Sequence, residues 1–213
     1  MDRLLIVSVS PLRSDPRVLR QIELFKDKYE ILTMGYGERP EGSTRHIRLP
    51  EPRPTSLAHQ LRKLARVASR NHLRNYEDFP GIRAAGDWLR SHGEDFDAIF
   101  VNDLSPVPLA IATGKPVHVD LHEYSLGQHA GRLWKLYQLP VLTWCAEHLG
   151  RAKSTTSVAE GIGALYDQEW GTKTRIVPNS HPYLPGQRPT PTSRPIRLVY
   201  MGIARQARSL ELP

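Results

Sequence analysis

The chain has 213 residues, room for one large domain or one domain with part of a second. Hydrophobic residues at 39% and charged residues at 24% exclude wholesale disorder, and the single cysteine, Cys145, excludes a disulfide framework or a multi-cysteine zinc site. Lys and Arg number 29 against 22 Asp and Glu, a net charge of +7 that favours anionic partners without choosing among phosphate ligands, acidic membranes and nucleic acid.

No apolar run approaches the roughly 18 residues that span a bilayer. The N-terminal apolar run is followed closely by Arg13 and Asp15 and reads as a buried strand, not a secretory signal. A reducing, cytoplasmic setting is expected.

Residues 4–9 (LLIVSV) are short, apolar and β-branched, the pattern of a central parallel strand buried on both faces. A loop at 10–14 leads to Asp15, a good N-cap, and Pro16, suited to the first helical position. Val18, Leu19, Ile22 and Phe25 recur at helical spacing. Strands are expected over 30–34, closed by Gly35 and Gly37, and over 45–49, ended by Pro50, Pro52 and Pro54.

Residues 56–75 form a basic amphipathic segment, with Leu57, Leu61, Leu64 and Ala68 on one stripe and Arg62, Lys63, Arg66, Arg70 and Arg74 around the rest. It reads either as a surface helix packed by its stripe or as peripheral contact with anionic lipid; no interleaved aromatics support nucleic-acid stacking. A helix follows over 81–92 with Ile82, Ala85 and Leu89 inward. Then come a strand at 97–102, a short helix ending at Gly114, a strand at 116–121, and a helix over 131–150 broken near Pro140. A strand at 153–157 precedes a helix at 158–169, opened by a capping box of Ser157 and Glu160, and a strand at 175–177 follows.

Five prolines between 182 and 195 mark an extended linker, and 196–201 is a further apolar strand. Alternating strands and helices imply a doubly wound α/β parallel sheet. Three segments are expected: a domain over 1–181, the linker over 182–195, and over 196–213 the first strand and loop of a truncated second domain.

In such a sheet ligands bind at the carboxyl ends of the strands. The first loop lacks the G-x-G-x-x-G pattern of dinucleotide-binding domains, and neither a P-loop nor a G-x-S-x-G elbow occurs. That loop offers Ser10, Arg13 and a helix start at Asp15 and Arg17, which can hold a phosphate or hydroxyl or can be an ordinary capped helix. His118, Asp120 and His122 alternate onto one face of the fifth strand-like run. They read as a metal set, as a histidine with a hydrogen-bond partner, or, with Glu123, as polar groups at the crevice. Asn102 and Asp103 end the preceding strand similarly, and Asp103 or Ser105 can instead cap the next helix.

Taken in order, Asp15-Pro16-Arg17-Val18, Asn102-Asp103, Asp120-Leu121-His122-Glu123, Ala159-Glu160-Gly161-Ile162, Val177-Pro178-Asn179-Ser180 and Leu198-Val199-Tyr200-Met201-Gly202 resemble the N-terminal half of a GT-B glycosyltransferase of the family-four type. The resemblance implies two Rossmann-like domains facing a cleft, the first holding the acceptor and the second the nucleotide sugar. It implies retaining transfer of a hexose to a glycan, lipid-linked or small-molecule acceptor, without a bound metal or cofactor. His122 would face the donor sugar or reacting centre. Ser10, Arg13, Asp15, Arg17, Asn102, Asp103, Asp120 and Glu123 would line the acceptor side, and Gly202 and Arg208 would approach the donor diphosphate. The first loop departs from many relatives in having no glycine pair, and Ile203 follows Gly202 where some carry a basic residue. The family's donor-holding domain, with its E-x7-E motif, is expected to be missing, so the chain alone is expected to be inactive. A GT-B sugar epimerase and a basic module for anionic membrane or nucleic acid are the alternatives.

Overall fold

The structure is a computed structural model that describes residues 1–51, 61–62, 65–66, 72–79, 81–127, 132–180, 185–186, 191 and 194–197. The chain divides into two compact units, Met1–Asn179 and Ser180–Pro213. The first contains seven strands: β1 (Arg3–Pro11), β2 (Glu30–Tyr36), β3 (Arg45–Arg48), β4 (Ala98–Asn102), β5 (Val117–Leu121), β6 (Ser154–Ser157) and β7 (Thr174–Ile176). They form one all-parallel sheet in the order β3-β2-β1-β4-β5-β6-β7. The strand order reverses between β1 and β4, which makes their carboxyl ends the switch point of a doubly wound Rossmann-like sheet.

Helix α1 (Pro16–Phe25) begins as its sequence dictates. Asp15 is the N-cap, its carboxylate accepts from the Arg17 amide, and Pro16 fills the first turn. Its buried Val18 and Ile22 pack on Leu4, Ile6 and Ile31 of one sheet face. Each such aliphatic side chain contributes about 1.5–3 kcal/mol when removed from water.

The other face carries the larger core. Leu5, Val7, Ile99, Val101, Val119 and Leu121 meet helices α2 (His72–Glu77), α3 (Ile82–Ser91), α4 (Val107–Ala112), α6 (Leu139–Ala146) and α7 (Glu160–Trp170). Helix α5 (Arg132–Tyr137) is separated from α6 at Gln138, with Pro140 in the first turn of α6, where its missing amide costs nothing.

Along β5, Val117, Val119 and Leu121 are buried and His118 and Asp120 are partly buried, with Gln21 of α1 reaching Asp120 on that second face. Two expectations need correction. Ser157 and Glu160 form no capping box. Ser157 belongs to β6, where strand pairing fixes its backbone, and α7 is preceded by an extended Ala159 with no side-chain cap. Neither Asp103 nor Ser105 caps α4, whose N-cap is Pro106.

The basic segment 56–75 falls largely outside the described residues; of its stripe Leu61 is described and is exposed. The linker at 182–195 and the strand at 196–201 are mostly outside them as well, as are Gly202 and Arg208. Among the described residues no helix is long and apolar enough to cross a membrane.

Candidate functional site

The candidate site stands at the switch point and is built from rows of residues in register. Asn102 of β4 pairs with Asp120 of β5, which pairs with Thr156 of β6. One row lower, Phe100, His118 and Ser154 are in register. Parallel pairing therefore lays two rows of polar or aromatic side chains across the face that α1 flanks.

Hydrogen bonds run along both rows and give each group a defined role. The Thr156 hydroxyl donates to Asp120 Oδ1 at 2.7 Å. Having spent its proton there, it accepts from His118 Nε2 at 3.0 Å, which leaves His118 Nδ1 to accept from the Ser154 hydroxyl at 2.8 Å. Asp120 Oδ2 receives Gln21 Nε2 at 3.1 Å. Gln21, from α1, also makes a reciprocal amide pair with Asn102, at 2.9 and 3.0 Å.

His122 follows β5 directly and is 5% exposed. Its Nε2 lies 3.0 Å from Asn102 Oδ1 and 3.3 Å from Asp120 Oδ2. Both neighbours are acceptors, so the proton resides on Nε2 and the neutral ring keeps its lone pair on Nδ1. That Nδ1 is buried and has no partner among the described residues. Burial holds the His122 pKa below the ordinary imidazole value against the attraction of Asp120, and the nearby Arg17 charge adds to the lowering. A neutral imidazole with a fixed tautomer and an open acceptor is the chemically distinctive group of this rim.

A second network forms the other wall. The Ser8 and Ser10 hydroxyls are 2.9 Å apart, Ser10 donates to Asp15 Oδ2 at 2.9 Å, and Asp15 Oδ1 accepts from the Arg17 amide at 3.1 Å and Nε at 3.3 Å. Burial pushes the Asp15 carboxyl up, but the hydrogen bonds and charge of Arg17 and the Ser10 hydroxyl outweigh it and hold the carboxyl below its usual range.

Asp103 ends β4 with φ of +66°, a left-handed conformation that is uncommon for any residue but glycine. Its amide donates to the Asp120 carbonyl at 3.0 Å. Burial pushes its carboxyl up to about 6; Arg17 pulls the other way, and Glu123, Asp15 and Asp120 add to the rise.

The structure thus brings Asn102, Asp120 and His122 into one hydrogen-bonded cluster, and places Asp15, Arg17, Asp103 and Glu123 close enough for their charges to interact with it. Ser10 joins through Asp15. The Glu123 side chain is exposed, while its carbonyl accepts from the buried Tyr166 hydroxyl at 3.0 Å, fixing the loop after His122. Arg13 does not join the cluster: it is exposed and pairs with Glu38 after β2. Among the described residues no group of three or more His, Cys, Asp or Glu is arranged to hold a metal ion.

No model of a known protein family matches the sequence, and no curated protein matches it. Solved structures do. Sucrose-phosphate synthase from Thermosynechococcus elongatus is similar at 13% identity and a TM-score of 0.52, covering 84% of this chain and 48% of that one. HepE from Anabaena, in complex with UDP and glucose, is similar at 13% identity and a TM-score of 0.49, covering 85% and 45%. A putative UDP-N-acetylglucosamine 2-epimerase from Listeria monocytogenes is similar at 8% identity and a TM-score of 0.45, covering 78% and 41%. The chain spans about half the length of these structures. The likeness establishes a Rossmann-like α/β sheet matching GT-B neighbours over that half.

Sequence reading overlooked Gln21, Thr156 and Tyr166. Gln21 carried a signal, since it lies three residues after Val18, where the buried stripe of α1 calls for an apolar side chain. A polar residue in that stripe needs a buried partner. Thr156 and Tyr166 carried none, because their roles depend on strand register and on the docking of α7.

Proposed function

We propose that this chain is the acceptor-side part of a retaining glycosyltransferase, which moves a hexose from a nucleoside-diphosphate sugar to a hydroxyl of a glycan, lipid-linked or small-molecule acceptor. The reading is supported by the order of the short motifs, by the Rossmann-like sheet, and above all by His122. Its Nε2 proton is committed to Asn102 and Asp120, and its buried Nδ1, which has no donor among the described residues, is open to a hydrogen bond from a ligand. A sugar hydroxyl is such a donor, and a neutral imidazole suits an uncharged polyol better than an anion. An unpaired buried acceptor costs about 1–3 kcal/mol, which ligand binding would recover.

Within this reading Asn102, Asp120 and Gln21 hold the ring and its tautomer. Arg17 supplies positive charge at the helix start beside the rim, where a diphosphate leaving group develops charge.

The test is ligand-observed NMR of the chain with nucleoside-diphosphate hexoses and simple glycosides, comparing His122→Gln with the unaltered protein. Glutamine can keep a donor near the Nε2 position while removing Nδ1. Affinity should fall by about tenfold or more with the melting temperature little changed. Equal binding by the variant, or no saturable binding of any sugar by the unaltered chain, would refute the assignment.

A further inference from the structure

Most arginine and lysine side chains near the sheet have a carboxylate partner. Arg3 pairs with Asp97, Arg17 with Asp15, Lys26 with Glu23 and Arg45 with Asp95. One group does not. At the amino ends of β6 and β7, far along the strands from His122, a cavity of about 610 Å³ is lined by Lys153, Lys173 and Arg175 and by no carboxylate. Arg151 stands beside it in the turn Leu149–Arg151. All four cations are exposed, and none forms an ion pair among the described residues.

The sequence explains why the charges converge. Parallel pairing sets Thr156 beside Arg175, and Lys153 and Lys173 immediately precede the first residues of β6 and β7, so the two strand entrances open side by side. The carboxyl end of α7 closes the cavity at Gly171. Its carbonyls carry about half a negative charge and Asp167, which contacts the lining residue Thr172, carries a full one, so some one and a half positive charges remain uncompensated. The hydroxyls in the lining cannot substitute for a counter-ion. Ser154 donates to His118, and the Thr172 hydroxyl donates to Asp167 at 2.6 Å. The site therefore selects by charge, and it has room for more than a single small anion.

We propose that this cavity binds a phosphate-bearing ligand, with Lys153, Lys173 and Arg175 as its cationic contacts. The site is separate from the His122 rim and does not depend on the function proposed for it. Three converging cations match a doubly or triply charged phosphate better than a carboxylate, and the exposed mouth admits either a soluble phosphate ester or a lipid phosphate headgroup.

The probes are inorganic pyrophosphate, followed by calorimetry and ³¹P NMR, and vesicles of phosphatidylglycerol in phosphatidylcholine, followed by co-sedimentation. The proteins are the unaltered chain, Lys153→Ala/Lys173→Ala, and Lys28→Ala as a control for net charge, since Lys28 is exposed and outside the lining. One pyrophosphate should bind per chain. The double variant should weaken binding by about tenfold or more, Lys28→Ala should leave it unchanged, and added salt should weaken it. Vesicle capture that also needs Lys153 and Lys173 assigns the ligand as a lipid phosphate; pyrophosphate binding without vesicle capture assigns a soluble one. Absence of saturable pyrophosphate binding, or equal weakening by Lys28→Ala, would overturn the proposal. The His122→Gln protein should bind pyrophosphate normally, which separates failure of this site from failure at the rim.

Discussion

Replacing Asp103 with asparagine should stabilise the protein, and the gain should grow with pH. Asparagine has nearly the same shape, tolerates the left-handed backbone at φ +66°, and imitates the protonated acid. Burial raises the Asp103 carboxyl from 3.8 to about 6, so between those values the folded chain binds a proton that the unfolded chain has released. Stability therefore falls as pH rises through that window and stays lower above it. At 1.36 kcal/mol per unit the full cost of the ionised form is about 3 kcal/mol; Asp103 is only half-buried, so solvent screening brings the expected value to about 1–3 kcal/mol. The assay is urea unfolding followed by tryptophan fluorescence, at closely spaced pH values from about 4 to 7.5. Taking the difference between Asp103→Asn and the unaltered chain removes the titration of the other carboxylates, except those coupled to Asp103. The two proteins should be nearly equal in stability at the acid end and diverge until about pH 7. A gap that is constant with pH, or one that favours aspartate at neutral pH, would refute the account of Asp103 as a destabilised carboxylate.

Two further outcomes follow from the packing. Gly35 lies under the first loop, where an added Cβ would sit 2.6 Å from Leu12 Cγ and 2.7 Å from the Ser8 carbonyl; Gly35→Ala should cost about 1–3 kcal/mol, read as a lower urea midpoint, and an unchanged midpoint would contradict the close approach. Cys145 is fully buried in α6, and burial pushes its thiol well above the usual range, so a thiol reagent should modify it only as the chain unfolds; rapid labelling in native buffer would contradict that placement.

Much of this fold is written in local pattern. The capped start of α1 is local chemistry, held in Asp15, Pro16 and Arg17, and the buried strands announce themselves by β-branched runs such as residues 4–7. The positions of Asn102, Asp120 and His122 at strand ends were equally readable, because strand boundaries and a parallel sheet place them at the carboxyl rim. Long-range facts were not readable. Ser157 and Glu160 have the spacing of a capping box, but pairing of Ser157 with Leu121 and Ile176 outweighed local propensity. Arg13 lies in the rim loop by sequence, yet Glu38, 25 residues on, takes its guanidinium. The one-sided character of β5 was present in the sequence as alternation, Val117 and Val119 against His118 and Asp120, and points to a strand with one polar, partly buried face.

That alternation also explains how the sheet tolerates so polar a centre. A carboxylate sealed between two layers of helices would face a desolvation cost of several kcal/mol. Asp120 avoids most of it because it is only partly buried and because it receives donors from Thr156, Gln21 and His122. The row Asn102–Asp120–Thr156 exists only in the observed register; a slip of one residue in β5 would put Val119 or Leu121 in the polar row and drive Asp120 into the aliphatic core. The site and the sheet register therefore stabilise each other. Gln21 ties both to α1, so the helix that begins at Asp15 is held to the same row that fixes the His122 tautomer.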